Sequence, residues 1–287
     1  MTIIDAHTHA YTERDLESIQ VKMAVLDGPL SPDSPHRWQL THRGDLKTLV
    51  ETETAAGVER LILLPVAGRP ERVEELNRWS ARAAEDHPQI IPFATLHPAS
   101  PDPAADLALA LDLGLKGVKL HTLLQRFSLL DRPALDLAET LAKAGLPVLL
   151  DTLHGPGLMK VKPHLAAFGE EMEPFAAAPG QIARWAALFP ELTIIAAHLG
   201  CLYGWEEVGP LLEPDNVYFD LAFVDRLLGP ARARELIRAK GAGRVLWGTD
   251  APWREAGPAL AWLRELELTP EEEAAVAGLN AARLLNL

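Results

Sequence analysis

A chain of 287 residues, 48% hydrophobic and 23% charged, has the make-up of an ordinary globular protein and about the length that an α/β barrel needs, roughly 250 residues. The formal net charge of −13 argues against nucleic acid or an anionic membrane as partner, and no apolar run approaches a membrane span. The single cysteine, Cys201, rules out an intrachain disulfide. With candidate site residues starting at position 7 there is no room for a secretory leader, so the expected compartment is the cytoplasm.

Apolar, β-branched runs alternate along the chain with amphipathic Glu/Arg/Ala-rich runs. The pattern predicts strands at 2–7, 58–66, 90–97, 115–121, 146–152, 192–198, 216–223 and 244–250. Helices are expected near 44–56, 71–86, 103–113, 133–144, 179–189, 203–212 and 230–240, with a last helical region over 257–287. Strands buried on both faces and separated by helices pair in parallel. Eight such units predict a (β/α)8 barrel in one domain, residues 1–287. An open doubly wound sheet is disfavoured because HTHAYTE, not a Gly-rich phosphate turn, follows the first strand. Gly145 just past a helical run and Pro133, Pro230 and Pro270 at helix starts agree with these boundaries. Two connections, 10–43 and 153–178, are too long for simple βα loops. Both follow the C-terminal end of a strand, the first and the fifth, and are expected to act as lids over a pocket.

Several strands end on a histidine or an aspartate. In IIDAHTH, strand alternation puts Asp5 and His7 on one face with His9 just beyond, a spacing at which two imidazoles can share one divalent metal. By the same alternation Gly117, Lys119 and His121 share a face, as do Leu149 and Asp151, with His154 three residues further on. Ile194, Ala196 and His198 are expected to align in the sixth strand, Tyr218 and Asp220 in the seventh, Leu246, Gly248 and Asp250 in the eighth. His7, His121, Asp151, His198 and Asp250 therefore converge on one barrel mouth, where the active sites of such barrels lie. His97 reads as a wall residue, and His36, His42, His87 and His164 as solvated loop positions. Cys201 lacks an independent base and reads as packing.

DAHTH, GVKLH at 117–121, AHLG at 197–200, GTDAPW at 248–253 and LNAARLLNL at 279–287 occur in order along nearly the whole chain. Together they resemble the amidohydrolase superfamily, in the amidohydrolase 2 branch that includes aminocarboxymuconate-semialdehyde decarboxylase. The resemblance implies a metal held by His7, His9, a fifth-strand histidine and Asp250, with His198 beside it as general acid/base. This sequence departs from that pattern at the fifth strand, which ends on Asp151, with His154 displaced into the loop. Asp151 would complete a two-histidine, two-aspartate set and His154 a three-histidine, one-aspartate set. Asp151 is the better placed of the two. Zn²⁺ suits either set, and Mn²⁺ or Fe²⁺ the carboxylate-rich one. Lys119, which binuclear relatives would use as a carboxylated bridge, and His121 are expected to meet substrate instead, leaving a single metal.

The expected activity is hydrolysis of a small-molecule ester, lactone or amide by metal-activated water, with Asp250 as proton acceptor and His198 at the oxyanion or leaving group. The alternative on the same site is non-oxidative decarboxylation of a small aromatic or enoic acid, which needs a cationic clamp. Lys119 and Arg126 are its candidates. A third reading, a metal-binding scaffold without activity, rests on the altered fifth-strand position. The expected partner is a small-molecule substrate, and a homo-oligomer is compatible with the sequence.

Overall fold

The computed structural model describes residues 2–287. Eight strands run in parallel: β1 Ile4–Thr8, β2 Arg60–Leu63, β3 in two parts (Ile90–Pro92 and Ala94–Thr95), β4 Val118–Leu120, β5 Val148–Leu150, β6 Ile194–Ala196, β7 Val217–Asp220 and β8 Val245–Leu246. Phe93 interrupts β3, yet its N–H donates to Leu63 O at 3.1 Å while Ala94 N–H donates to Gly117 O at 2.8 Å, so the sheet continues through it. The ends meet where Ala6 N–H donates to Trp247 O (2.9 Å) and Asp250 N–H to His7 O (2.8 Å), with a parallel bridge between Thr8 and Ala251. The result is a closed TIM barrel.

The helices are α1 Glu13–Asp27, α2 Leu46–Ala55, α3 Val73–Asp86, α4 Pro103–Asp112, α5 Thr122–Gln125, α6 Arg132–Ala144, α7 Gly155–Val161, α8 Ala166–Met172, α9 Pro179–Leu188, α10 Pro230–Lys240, α11 Ala256–Glu265, α12 Pro270–Ala274 and α13 Asn280–Leu285. None is long and apolar enough to cross a membrane. Helix α6 shows why the outer ring packs: Ala134, Leu137, Ala138 and Leu141 are buried at i, i+3, i+4 and i+7. Gly145, at φ 67°, then ends it in a left-handed cap. Two apolar layers result. Val118, Leu120, Val148, Leu150, Val217 and Phe219 face the helices. Ile62, Leu64, Ile91, Phe93, Leu149 and Leu246 fill the barrel, with Ala281 and Leu285 of α13 joining them.

The structure departs from the sequence expectation in four places. The 203–212 stretch is not an α-helix but two short 3-10 turns, Trp205–Glu207 and Gly209–Leu211, because Gly209-Pro210 removes helix propensity and a backbone donor. The C-terminal region is three helices, with a π-helical turn at Ala275–Leu279 joining the last two. In β1, Asp5 pairs with Leu61 but Thr8 with Leu63, so an extra residue forms a bulge. Asp5 and His7 therefore do not share a face. In β6 the inward residues are Ile195 and Ala197, whereas Ile194 and Ala196 pack outward.

The two long connections contain structure of their own. The first carries α1 and the second α7 and α8. They dock on each other through Lys162 and Asp27, a fully buried ion pair with Nζ 2.9 Å from Oδ1. The Lys162 ammonium also lies 3.7 Å above the Trp38 ring. Leu153, Leu158, Leu202 and Phe223, with Trp38, Tyr203 and Trp253 against them, form a third apolar cluster at the strand ends.

Candidate metal centre and active site

The bulge in β1 aims His7 and His9 at the same point. Their Nε2 atoms are 3.1 Å apart. The other nitrogen of each ring is already committed: His7 Nδ1–H donates to Asp220 Oδ2 (2.8 Å) and His9 Nδ1–H to the Leu64 carbonyl (2.7 Å). Carboxylate and carbonyl only accept, so in the neutral rings both Nε2 atoms carry lone pairs, pointed at each other. Two facing lone pairs repel unless a cation lies between them. Asp250 Oδ1 completes the face, 3.5 Å from His7 Nε2 and 3.4 Å from His9 Nε2. Ligands about 2.0–2.2 Å from one divalent ion are separated from each other by roughly 3.0–3.5 Å. Thus His7, His9 and Asp250 fit three positions around one metal.

Local backbone geometry makes this convergence possible. Asp250 has φ 69° and His198 φ 59°, both left-handed, at the ends of β8 and β6. At His198 the turn carries the ring inward although Ala196, two residues earlier, faces out. His198 Nδ1–H donates to Ala222 O (2.8 Å), and its ring stacks on His7 at 5.4 Å between centroids. Asp220 supports both rings. Its Oδ2 accepts from His7, and its Oδ1 accepts the backbone N–H of His198 (2.8 Å) and of Ala222 (3.1 Å).

Asp151, at the end of β5, faces a different set of partners. Oδ2 lies 3.0 Å from Lys119 Nζ, and Oδ1 lies 3.7 Å from both His121 Nε2 and His198 Nε2. Lys119 is fully buried and its ammonium also donates to His7 Nε2 at 3.1 Å. His121 is positioned through its backbone, whose N–H donates to Gln125 Oε1 at 2.8 Å. His154 lies apart from this group. Its Nδ1 accepts from Gly157 N at the start of α7 (3.0 Å) and its Nε2 faces Glu207 Oε1 (3.1 Å). Arg126 is on the surface with Glu171, at 2.9 Å. His97 is buried, His36 and His42 are half-buried rather than solvated, and His164 is exposed.

Burial, with Lys119 adding to it, lowers the pKa of His7 to about 4, and burial does the same to His121. Both are neutral at pH 7. Burial works in the same direction on His198, but the Asp151 carboxylate 3.7 Å from its Nε2, then Asp250 and Asp220, outweigh it and raise its pKa to about 9. His198 is thus an imidazolium at neutral pH. Burial would raise Asp151, Asp220 and Asp250, yet the surrounding cations and rings hold all three below the usual carboxylate range. The Cys201 thiol is pushed up to about 12, by burial first and then by Glu207, which leaves it inert.

Asp220 is the residue whose part was least visible in the sequence. Alternation along β7 places it inward, but nothing in the local sequence links it to a histidine 213 positions away. Trp253, whose ring meets His9 edge-on at 5.5 Å, and Phe223, 6.4 Å from His198, are likewise brought in by the barrel's closure.

Comparison with known proteins agrees with this architecture. Solved structures that superpose on the chain include an uncharacterised TIM-barrel protein from Bordetella bronchiseptica, 20% identical with a TM-score of 0.73, covering 100% of this chain and 99% of that one. 5-Carboxyvanillate decarboxylase from Sphingomonas paucimobilis is 16% identical, with a TM-score of 0.72 and coverage of 100% and 99%. A dihydroxybenzoic acid decarboxylase from a Polaromonas species, with manganese and 2-nitroresorcinol bound, is 17% identical, with a TM-score of 0.70 and coverage of 100% and 97%. No curated protein matches the chain. The amidohydrolase family model matches residues 4–287, and with a match of that extent the chain belongs to the amidohydrolase family.

Proposed function

We propose that this protein is a metal-dependent decarboxylase of a small aromatic or enoic acid, with His7, His9 and Asp250 holding one divalent ion. Zn²⁺ suits the mixed nitrogen and oxygen donors, and Mn²⁺, present in the Polaromonas neighbour, is the second candidate. The observation that carries the reading is the place of His198 beside the three-ligand face, its ring 5.4 Å from that of His7 and its Nε2 3.7 Å from the Asp151 carboxylate, which favours the protonated ring. Decarboxylation needs a proton donor for the carbon that loses carbon dioxide. Hydrolysis by activated water needs a base first. The decarboxylases among the structural neighbours support the same choice.

When bound, the metal would supply Lewis-acid charge for substrate oxygens. Lys119, paired with Asp151, would add a buried N–H donor for a substrate carboxylate oxygen. Trp253, part-exposed beside His9, offers aromatic surface to a planar substrate. His198 then gives its Nε2 proton to the carbon as the bond to the carboxylate breaks, and the electron pair of that bond forms the new C–H bond. The carboxylate departs as carbon dioxide. Asp151, its Oδ1 3.7 Å from His198 Nε2, holds the imidazolium oriented beforehand.

A hydrolase of esters, lactones or amides is the second reading. It is favoured by Asp250, whose oxygen stands beside both imidazoles with 14% of its side chain exposed, and so could accept a proton from water. Assaying the metal-loaded protein in D₂O against aromatic and enoic acids, and separately against ester, lactone and amide panels, decides between them. Carbon dioxide release with deuterium at the vacated carbon supports decarboxylation. Hydrolysis products without carbon dioxide move the assignment to the second reading.

A further inference from the structure

Asp151 stands where the family resemblance expects a metal-binding histidine, but its surroundings are those of a counter-ion. Its Oδ2 is 3.0 Å from the Lys119 ammonium, and its Oδ1 is divided between the His121 and His198 rings at 3.7 Å each. Among the described residues, the sets of ligand atoms within 4.8 Å of one another are His7–His9–Asp250 and His7–His198–Asp220, and Asp151 belongs to neither. In the second set both Asp220 oxygens already accept N–H groups, which leaves the first as the set whose carboxylate is not so committed. Meanwhile Lys119, with no exposed surface, reaches to 3.1 Å from His7 Nε2, the atom that a metal would take.

We infer that Asp151 is the counter-ion of Lys119 and not a metal ligand, so that an ammonium–carboxylate pair replaces the fifth-strand ligand beside a metal held by three side chains. This rests on the metal centre proposed above. The electrostatic reason is direct. Were Asp151 to turn to the metal, a buried ammonium would be left unpaired next to a dication, the costliest arrangement available at this site. With the pair intact, Lys119 can remain buried and charged while the metal binds.

The test is a double-substitution cycle on metal affinity, read by Mn²⁺ and Zn²⁺ titration of chelator-treated protein at one pH and ionic strength. Asp151→Asn should weaken binding about tenfold, because Lys119 is left uncompensated near the dication. Adding Lys119→Met in the same chain should restore affinity to within about threefold of wild type. A ligand role for Asp151 predicts the opposite: the double variant would stay as weak as Asp151→Asn alone, and that result overturns the inference. If the double variant does not fold, Lys119→Met alone decides, with tighter metal binding in support and unchanged or weaker binding against. His9→Ala keeps the premise separate. Loss of binding there by about a hundredfold or more is expected from a true ligand, whereas unaffected binding would remove the metal centre itself, whatever the cycle shows.

Discussion

Asp220 touches no reacting atom in this site, yet it fixes which nitrogen of His7 is free. Asp220→Asn should therefore lower metal affinity about 10- to 100-fold, the usual cost of removing the partner that orients a ligating histidine. Metal titration with the fold checked by circular dichroism measures it, and a change below threefold would show that His7 keeps its tautomer unaided. His198→Gln tests the proton donor. Under the decarboxylase reading it should cut kcat about 10²- to 10⁴-fold with KM little changed, while metal content stays near one ion per chain. At this scale much was legible in the sequence: the i, i+2 spacing of His7 and His9, and Asp250 ending a strand. The separation of Asp5 from His7 was not, since one inserted residue in β1 reverses every later side chain and leaves no mark in composition. The partner of Asp151 was also hidden, because Lys119 is met only after β4 and β5 pair.

Elements were easiest to read where periodicity and end signals coincided. Helix α6, with its i, i+3, i+4, i+7 stripe and terminal Gly145, appears at almost its expected bounds. Helix α12 carries a full capping box, in which the Thr269 hydroxyl accepts from Glu272 N and the Glu272 carboxylate accepts from Thr269 N. Thr269→Ala should cost about 1 kcal/mol in denaturant unfolding, and no measurable loss would mean that the π-helical turn after it anchors the segment instead. Reading failed where the chain leaves regular geometry. His198, Phe223 and Asp250 take left-handed φ at three strand ends, a conformation that residue type does not encourage. The long connections fared no better, since Glu13–Asp27 is a helix whose buried residues are only Leu16 and Asp27, too few to give an apolar stripe.

For the molecule as a whole, the shifted histidines set a pH profile in the metal-free state. His7 and His121 have folded pKa values of about 4 against 6.5 unfolded. The unfolded chain thus binds more protons between those values, and stability falls as pH drops from 6.5 toward 4. His198 runs the other way, with a folded value of about 9 against 6.5. Its contribution is fully present below pH 6.5 and is lost as pH rises through 9. Tm measured in the presence of chelator should therefore peak near pH 6.5 and decline on both sides. A Tm that stays flat from pH 6.5 to 9 would show that His198 is not held as an imidazolium by Asp151.

The buried Lys162–Asp27 pair gives this architecture a clock. It ties the two long connections together at the strand ends, and the side chains around the metal face reach solvent through little more than the edges of His121, Asp151 and Asp250, at 18%, 15% and 14% exposure. The expected consequence is that an ion seated there leaves only as the connections part. Metal loss to an excess of chelator should accordingly be slow and independent of chelator concentration, and Lys162→Met, which frees the two segments from each other, should quicken it without changing affinity at equilibrium.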